Sequence, residues 1–459
     1  MRYALSEIRA IKRVLRSRWL QWSLTAITLL FFVLAIIAGL VGTPAGNHNF
    51  GIVFVWIVWW ALLMLVLVPL GGRLWCSICP IPVPGEWLQR GAILSPLGGY
   101  GGSGHGLGLG RRWPNRLRNI WLQNVAFALV ALFSAVVLTQ PRVSALVLAA
   151  FLFTAIGTSL VFERRAFCRY LCPVGGFIGL YSQVAPVEVR VKDTAVCAAH
   201  TTKTCYVGSA AGYGCPWQVF PGGLTKNTYC GTCFECLRTC PHDNVAINLR
   251  PPGADLWQPA GRRLDEAFKA FIMLGSALIY SAVMLGPWGA LKSAAYGVGT
   301  PNWLAYAATF VLFVFGLVPG LFLLAVLLGR RLSGNRAAVR KTFVALAYCL
   351  VPLGLTAWIA FSLAFVFASF SYVWPALSDP LGWGWNLLGT AGVGWSPYFM
   401  GIVPPVQVLV LVGGLAWACV TARHIAGEGL AGRAALLQAL PVMGFCLLVT
   451  VCLLGLLVA

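Results

Sequence analysis

The chain alternates between long apolar runs and short basic ones. Apolar runs of about 20 residues, each long enough to cross a bilayer, fall near 19–42, 50–72, 119–140, 143–162, 268–289, 303–328, 342–368, 403–421 and 434–457. Between the fourth and fifth runs the pattern changes: residues 185–265 are polar, rich in Gly, Pro, Thr and Cys, and contain no spanning run. The pattern predicts an all-α polytopic membrane protein of about nine transmembrane helices. It divides into a four-helix half (1–184), a small inserted domain (185–265) and a five-helix half (266–459). An insert of that size builds only a small core, so bound metal would supply much of its stability.

Composition sharpens this picture. The chain is 59% hydrophobic and only 10% charged, which excludes an ordinary soluble protein. The first apolar run lacks the small-residue cleavage pattern of a secretion signal. A net charge of +21 would suit a nucleic-acid partner if it were evenly spread. Instead, with the N-terminus inside, all but two of the 33 Lys and Arg, namely Arg142 and Lys292, fall on the inner side. That asymmetry marks topology. It places the N-terminus and the insert in the cytoplasm of a bacterial or archaeal cell, the chain across the cytoplasmic membrane and the C-terminus outside. The partner of the excess charge is anionic lipid, not nucleic acid.

Fifteen cysteines sit mostly in close groups, which suits metal binding in a reducing compartment better than a disulfide framework. The tightest group is Cys230, Cys233, Cys236 and Cys240, spaced C-x2-C-x2-C-x3-C and followed by Pro241. Three thiolates at every third position wrap one face of an iron–sulfur cubane, and the fourth leaves toward another cluster. A zinc site is the competing reading. Upstream lie Cys197, His200, Cys205 and Cys215, a stretched version of the same half-motif with His200 at the vacant second position. By the ligand exchange of two-cluster ferredoxins, Cys215 joins Cys230, Cys233 and Cys236, while Cys240 joins Cys197 and Cys205. His200 would complete the second site as a 4Fe–4S cluster. A three-cysteine 3Fe–4S cluster, or a single cluster on Cys230, Cys233, Cys236 and Cys240, are the alternatives.

Two more pairs end apolar runs on the same side: Cys76 and Cys79 before Pro80, and Cys168 and Cys172 before Pro173. Arg73, Arg164 and Arg165 stand beside them and are expected to favour thiolate and to offset the charge of a bound group. Four thiolates suit a third cluster, copper(I) or zinc, or act as dithiols. Cys349, Cys419, Cys446 and Cys452 lie singly in apolar runs and read as packing residues. No catalytic residue is assigned. His48, His105, His200, His242 and His424 avoid the middles of the spans and no C-x-x-C-H occurs, so no haem is expected. Charged residues also avoid the span middles, against a proton or ion pump. The glycine-rich stretch 96–110, with a solvated His105, reads as a cytoplasmic linker. The outer stretch 369–402, carrying Trp374, Trp383, Trp385 and Trp395, reads as an interfacial belt or a docking surface.

The Cys-Pro pairs after the second and fourth spans, followed by ferredoxin-like spacing, resemble the membrane-bound 4Fe–4S polyferredoxins of the NapH/NosR/CcoG type. These are the quinol-oxidising iron–sulfur subunit of periplasmic nitrate reduction, the nitrous-oxide-reductase accessory protein and the cytochrome-oxidase accessory protein. The resemblance covers about residues 20–250 and rests on Cys76, Cys79, Cys168, Cys172 and the later cluster cysteines. The first pair departs from it, being C-x2-C-P where the family has C-x3-C-P. The resemblance implies electron transfer at the inner membrane face and leaves the partner open; the first reading passes electrons between a membrane quinone and the cytoplasmic clusters, and on to other redox subunits. A copper-reducing assembly factor and a membrane anchor for a larger oxidoreductase are the other readings. Only six methionines and a single outer histidine, His48, tilt away from copper handling.

Overall fold

A computed structural model describes residues 2–94, 106–286 and 288–458. Most of the glycine-rich stretch, including His105, falls outside them. Its downstream end is tied in, with Leu107 donating from its backbone to Leu88 O at 3.0 Å and Leu109 to Leu160 O at 2.7 Å.

Among the described residues, eight helices are long and apolar enough to cross a membrane: Arg18–Val41, Phe50–Gly71, Pro141–Val161, Leu264–Leu285, Pro301–Ser333, Val339–Ser378, Val403–Gly427 and Gly432–Leu457. The ninth span, expected at 119–140, is a shorter helix, Trp121–Leu132, interrupted at Phe133 before a single turn at Ser134–Val137. Its first turn carries Gln123 and Asn124, both buried. Gln123 donates to Cys168 O at 3.0 Å and Asn124 to Asp265 O at 2.9 Å. Polar side chains committed to neighbouring backbone shorten the apolar part of this element.

The chain forms two compact units interleaved along the sequence. The first contains 1–34, 66–123 and 146–255; the second contains 35–65, 124–145 and 256–459.

In the first unit the polar insert builds a three-stranded antiparallel sheet of order β1 (Tyr3–Ala4), β3 (Val245–Leu249), β2 (Val187–Val191). The edge strand β1 comes from the very N-terminus. Tyr3 pairs with Leu249 and Ala4 with Asn248. The following segment is fastened to the cluster loop: Arg238 donates to the carbonyls of Leu15, Arg16 and Ser17, and Arg18 pairs with Glu235 at 3.1 Å. Val189, Leu237, Val245 and Ile247 form the apolar core, with Cys230, Cys236 and Cys240 packed against it. Behind the sheet, Glu188, Arg190, Arg250 and Asp255 are buried as a neutral set of two carboxylates and two guanidiniums.

In the second unit the first two turns of Leu264–Leu285 bury Asp265, Glu266 and Lys269. Tyr348 donates to Glu266 Oε2 at 2.6 Å, and Lys269 Nζ sits 4.5 Å from the Phe127 ring centroid. The span expected to begin at 268 therefore starts with ionisable groups inside the protein. Cys349 and Cys446, expected to be packing residues, are buried free cysteines. Residues 369–402 form the end of the long helix and then irregular chain, with Trp374, Trp383, Trp385 and Trp395 exposed.

Candidate metal centres

Three groups of cysteines converge in the first unit. Cys215, Cys230, Cys233 and Cys236 line one cavity, together with Trp217 and Thr232. Cys197, His200, Cys205 and Cys240 line a second, together with His242. The four cysteines of the two Cys-Pro pairs form the third group: the charge of Cys79 interacts with Cys76 and Cys172, and that of Cys168 with Cys172, Cys79 and Cys76.

The first group is shaped by its backbone. In the C-x2-C-x2-C loop Thr232 (φ 46°) and Phe234 (φ 60°) adopt the left-handed conformation, which is uncommon for such residues and concentrates at functional sites. Between them and Cys230 the chain needs Gly231, because a Cβ there would lie 1.7 Å from Trp217 Nε1. Val219 N donates to Cys215 Sγ at 3.4 Å. Trp217 Nε1 and Thr232 Oγ1 are buried donors with no hydrogen-bond partner among the described residues. Orphan donors lining a cysteine-walled cavity fit a sulfide-bearing cluster, whose sulfurs accept such bonds and whose potential responds to them.

In the second group Asn244 ties two ligand candidates, donating from Nδ2 to Cys197 Sγ at 3.2 Å and from its backbone to Cys240 Sγ at 3.4 Å. The His200 and His242 rings meet edge to face at 4.8 Å, and His200 Nε2 lies 2.7 Å from Thr202 Oγ1. Spacing singled out His200; His242, two residues beyond Cys240, joins it through the fold. If His200 supplies the fourth ligand, His200→Cys lowers the potential of one cluster, since imidazole ligation raises it. The check is a redox titration followed by electron paramagnetic resonance (EPR). If His242→Ala shifts that potential and His200→Cys does not, the ligand is His242.

The Cys-Pro pairs differ by one residue, and the structure shows how. Cys76 lies on an α-helical turn, Leu74–Ile78. Cys168 lies on a π-helical turn, Phe167–Leu171, closed by Cys172 N donating to Phe167 O at 2.8 Å. The wider turn absorbs the extra residue of C-x3-C. Both second cysteines then leave in extended conformation, with ψ of 127° at Cys79 and 116° at Cys172. Cys172 caps the next helix, its Sγ accepting from Gly175 N at 3.2 Å.

The arginines stand between groups. Arg165 pairs with Glu86 through Nε and Nη2 at 2.6 and 2.9 Å and donates to Cys76 O at 2.8 Å. Its backbone N donates to Pro216 O at 3.0 Å, next to Cys215. Arg164 donates to Cys215 O at 2.8 Å. Arg73 reaches Gly175 O and Thr228 O and lies over the Trp217 ring at 4.4 Å. Arg73 and Arg165 thus act electrostatically on both groups: Arg165 lowers the pKa of Cys79, Cys168 and Cys233, and Arg73 that of Cys172 and Cys230.

These arginines do not win on their own, contrary to the expectation of ready thiolates. Burial pushes Cys172, Cys205 and Cys230 up to about 11, and Cys79, Cys168, Cys215, Cys233 and Cys236 upward as well. The physical cause is desolvation, which exceeds the pull of a guanidinium already committed to Glu86 or to carbonyls. A coordinated cation reverses that balance and deprotonates the thiol outright. Among the described residues, no three or more His, Cys, Asp or Glu side chains form a group that could hold a metal ion.

A family model described as a 4Fe–4S binding domain matches the chain twice, over residues 52–98 and 144–190. Each match contains one Cys-Pro pair, and Cys76 and Cys168 stand equally far from the starts of their segments. The chain is 26% identical over 105 residues to the "Putative electron transport protein YccM" of Escherichia coli K12, which covers 22% of this chain and 27% of that protein. It is 26% identical over 87 residues to the "Uncharacterized protein MJ0750" of Methanocaldococcus jannaschii, covering 19% of this chain and 32% of that one. The matches therefore span about a third or less of these relatives. No solved structure matches. The protein is an all-α membrane protein with 4Fe–4S binding segments.

Proposed function

We propose that this chain carries electrons between the membrane quinone pool and a partner redox protein through three 4Fe–4S centres. One is held by Cys76, Cys79, Cys168 and Cys172, one by Cys215, Cys230, Cys233 and Cys236, and one by Cys197, Cys205, Cys240 and a histidine. The observation that carries the reading is the contiguity of the three groups. Arg165 joins the first and second through Cys76 O and Pro216 O, Arg73 joins them through Gly175 O and the Trp217 ring, and Cys205 of the third lies near enough to Cys236 of the second to help burial raise its pKa. Bound clusters supply one-electron redox chemistry at each place. The chain's own residues hold them, keep water out and set the local charge. The asymmetry of Lys and Arg supports a cytoplasmic position for all three.

A cleft beside Cys233 supports the quinone reading. Trp22 and Thr25, from the start of the apolar helix Arg18–Val41, line it together with Ser77, Glu86, Arg90 and Tyr213. It thus joins a membrane-facing wall to the edge of two centres. The test is the full chain in nanodiscs with a ubiquinol or menaquinol. About twelve iron atoms per chain and quinol-dependent appearance of reduced-cluster EPR signals are expected. Clusters reduced by dithionite but never by quinol would overturn the quinone assignment. The anchor reading keeps one observation of its own, the exposed Trp383, Trp385, Leu387 and Leu388, which suit docking of another subunit.

A further inference from the structure

The second unit contains a cavity of about 720 Å³ to which the centres contribute nothing. It lies where five apolar helices end: Leu264, Asn335, Thr342, Ile425 and Gln438 all line it. Its charged lining is three cations, Arg262, Arg340 and Lys341, against one carboxylate, Glu428. Glu428 is already used, gripped by Arg262 through two bonds of 2.7 and 2.6 Å. Arg340 and Lys341 are exposed and have no ion-pair partner among the described residues. A second, independent feature is Gln438. It is 1% exposed, and its Oε1 accepts from Ser333 and Asn335 at 3.1 Å each. Its Nε2 is buried without a hydrogen-bond partner. Exposed cations without ion-pair partners on the wall of a cavity ask for an anionic acceptor. The neighbouring outer surfaces are apolar: Leu328, Leu332, Val339, Leu436 and Leu440 are exposed.

We propose that this cavity binds the phosphate of an anionic phospholipid. The phosphate lies at Arg340 and Lys341, and the acyl chains run along the exposed leucines. A basic pocket between membrane helices has the chemistry for such a headgroup. Apolar walls beside it distinguish an amphiphile from a free anion, although inorganic phosphate shares the recognised group. The site gives the second unit a role independent of the clusters.

The experiment uses the purified full chain in detergent with phosphatidylglycerol, phosphatidylcholine or inorganic phosphate, read by native mass spectrometry and thermal melting. Phosphatidylglycerol is expected to bind and raise the melting temperature, with phosphatidylcholine weaker. The double variant Arg340→Gln/Lys341→Gln should weaken binding roughly tenfold or more, from about 1 kcal/mol per basic residue. Arg433→Gln, which removes a cation outside the cavity, should leave it unchanged. Gln438→Glu keeps the acceptor for Ser333 and Asn335 but adds a negative charge, and should also weaken binding. Equal binding of the two lipids, or double-variant binding equal to wild type, overturns the proposal. Binding of inorganic phosphate that displaces the lipid overturns the lipid as its source.

Discussion

Cys79→Ser and Cys172→Ser each remove about four iron atoms per chain and abolish quinol-dependent reduction of the other clusters, which still reduce with dithionite. The expectation follows from the placement of the Cys-Pro group. Its four thiols come from two segments matched by the same 4Fe–4S domain, and each segment alone offers two ligands. Losing one thiol from a four-sulfur shell leaves serine, a hard and weakly acidic hydroxyl, where iron requires a soft anionic donor. Both residues end short helical turns and are not part of the apolar core of the insert, so folding around the other two groups should persist. The check is an iron count with EPR of the residual clusters, alongside a melting curve. If both variants keep full iron and full quinol reduction, the pairs are structural and the prolines merely end helices.

How much of this was legible in the sequence depends on the range of the interaction. The grouping of Cys215 with Cys230, Cys233 and Cys236 can be read from spacing, because the loop is local and its ligands are few. The spans can be read for the same reason, since hydropathy sums over contiguous residues. The third span passes that sum but is cut short at Phe133, and Gln123 and Asn124 at its start serve distant carbonyls that no local pattern announces. Strand β1 is two residues long and owes its existence to a neighbour more than 240 positions away. The place of His242 likewise comes from the fold that brings it against His200. The state of the thiols was misread for an electrostatic reason. Sequence shows the adjacent arginines but not their burial, and burial decides the sign. The one-residue difference between the Cys-Pro pairs is matched by an α-helical turn at Cys76 and a wider π-helical turn at Cys168.

Arg165→Met destabilises the first unit by about 3–5 kcal/mol, because it takes the bidentate guanidinium away from the buried Glu86 carboxylate. The side chains of Arg165 and Glu86 are only 7% and 4% exposed, so water cannot replace the lost partner. Against a typical total stability of about 5–15 kcal/mol, that loss lowers the yield of iron-loaded protein. The double variant Arg165→Met/Glu86→Leu removes both charges and should recover much of the loss, a coupling that a thermodynamic cycle measures. Arg165 also acts on the centres beside it, and the sign can be worked out. Reduction adds negative charge to a cluster, and a nearby cation stabilises the reduced form. Removing Arg165 alone therefore lowers the potentials of the centres at Cys79 and Cys168 and at Cys233. Arg165→Lys retains the charge but cannot make the two parallel bonds to Glu86, so it should lose stability while largely keeping the potentials. Melting curves and redox titrations of the three variants separate the two roles. If Arg165→Met leaves the potentials unchanged, Arg165 is a structural staple between the Cys-Pro turn and Pro216 and has no part in tuning electron flow.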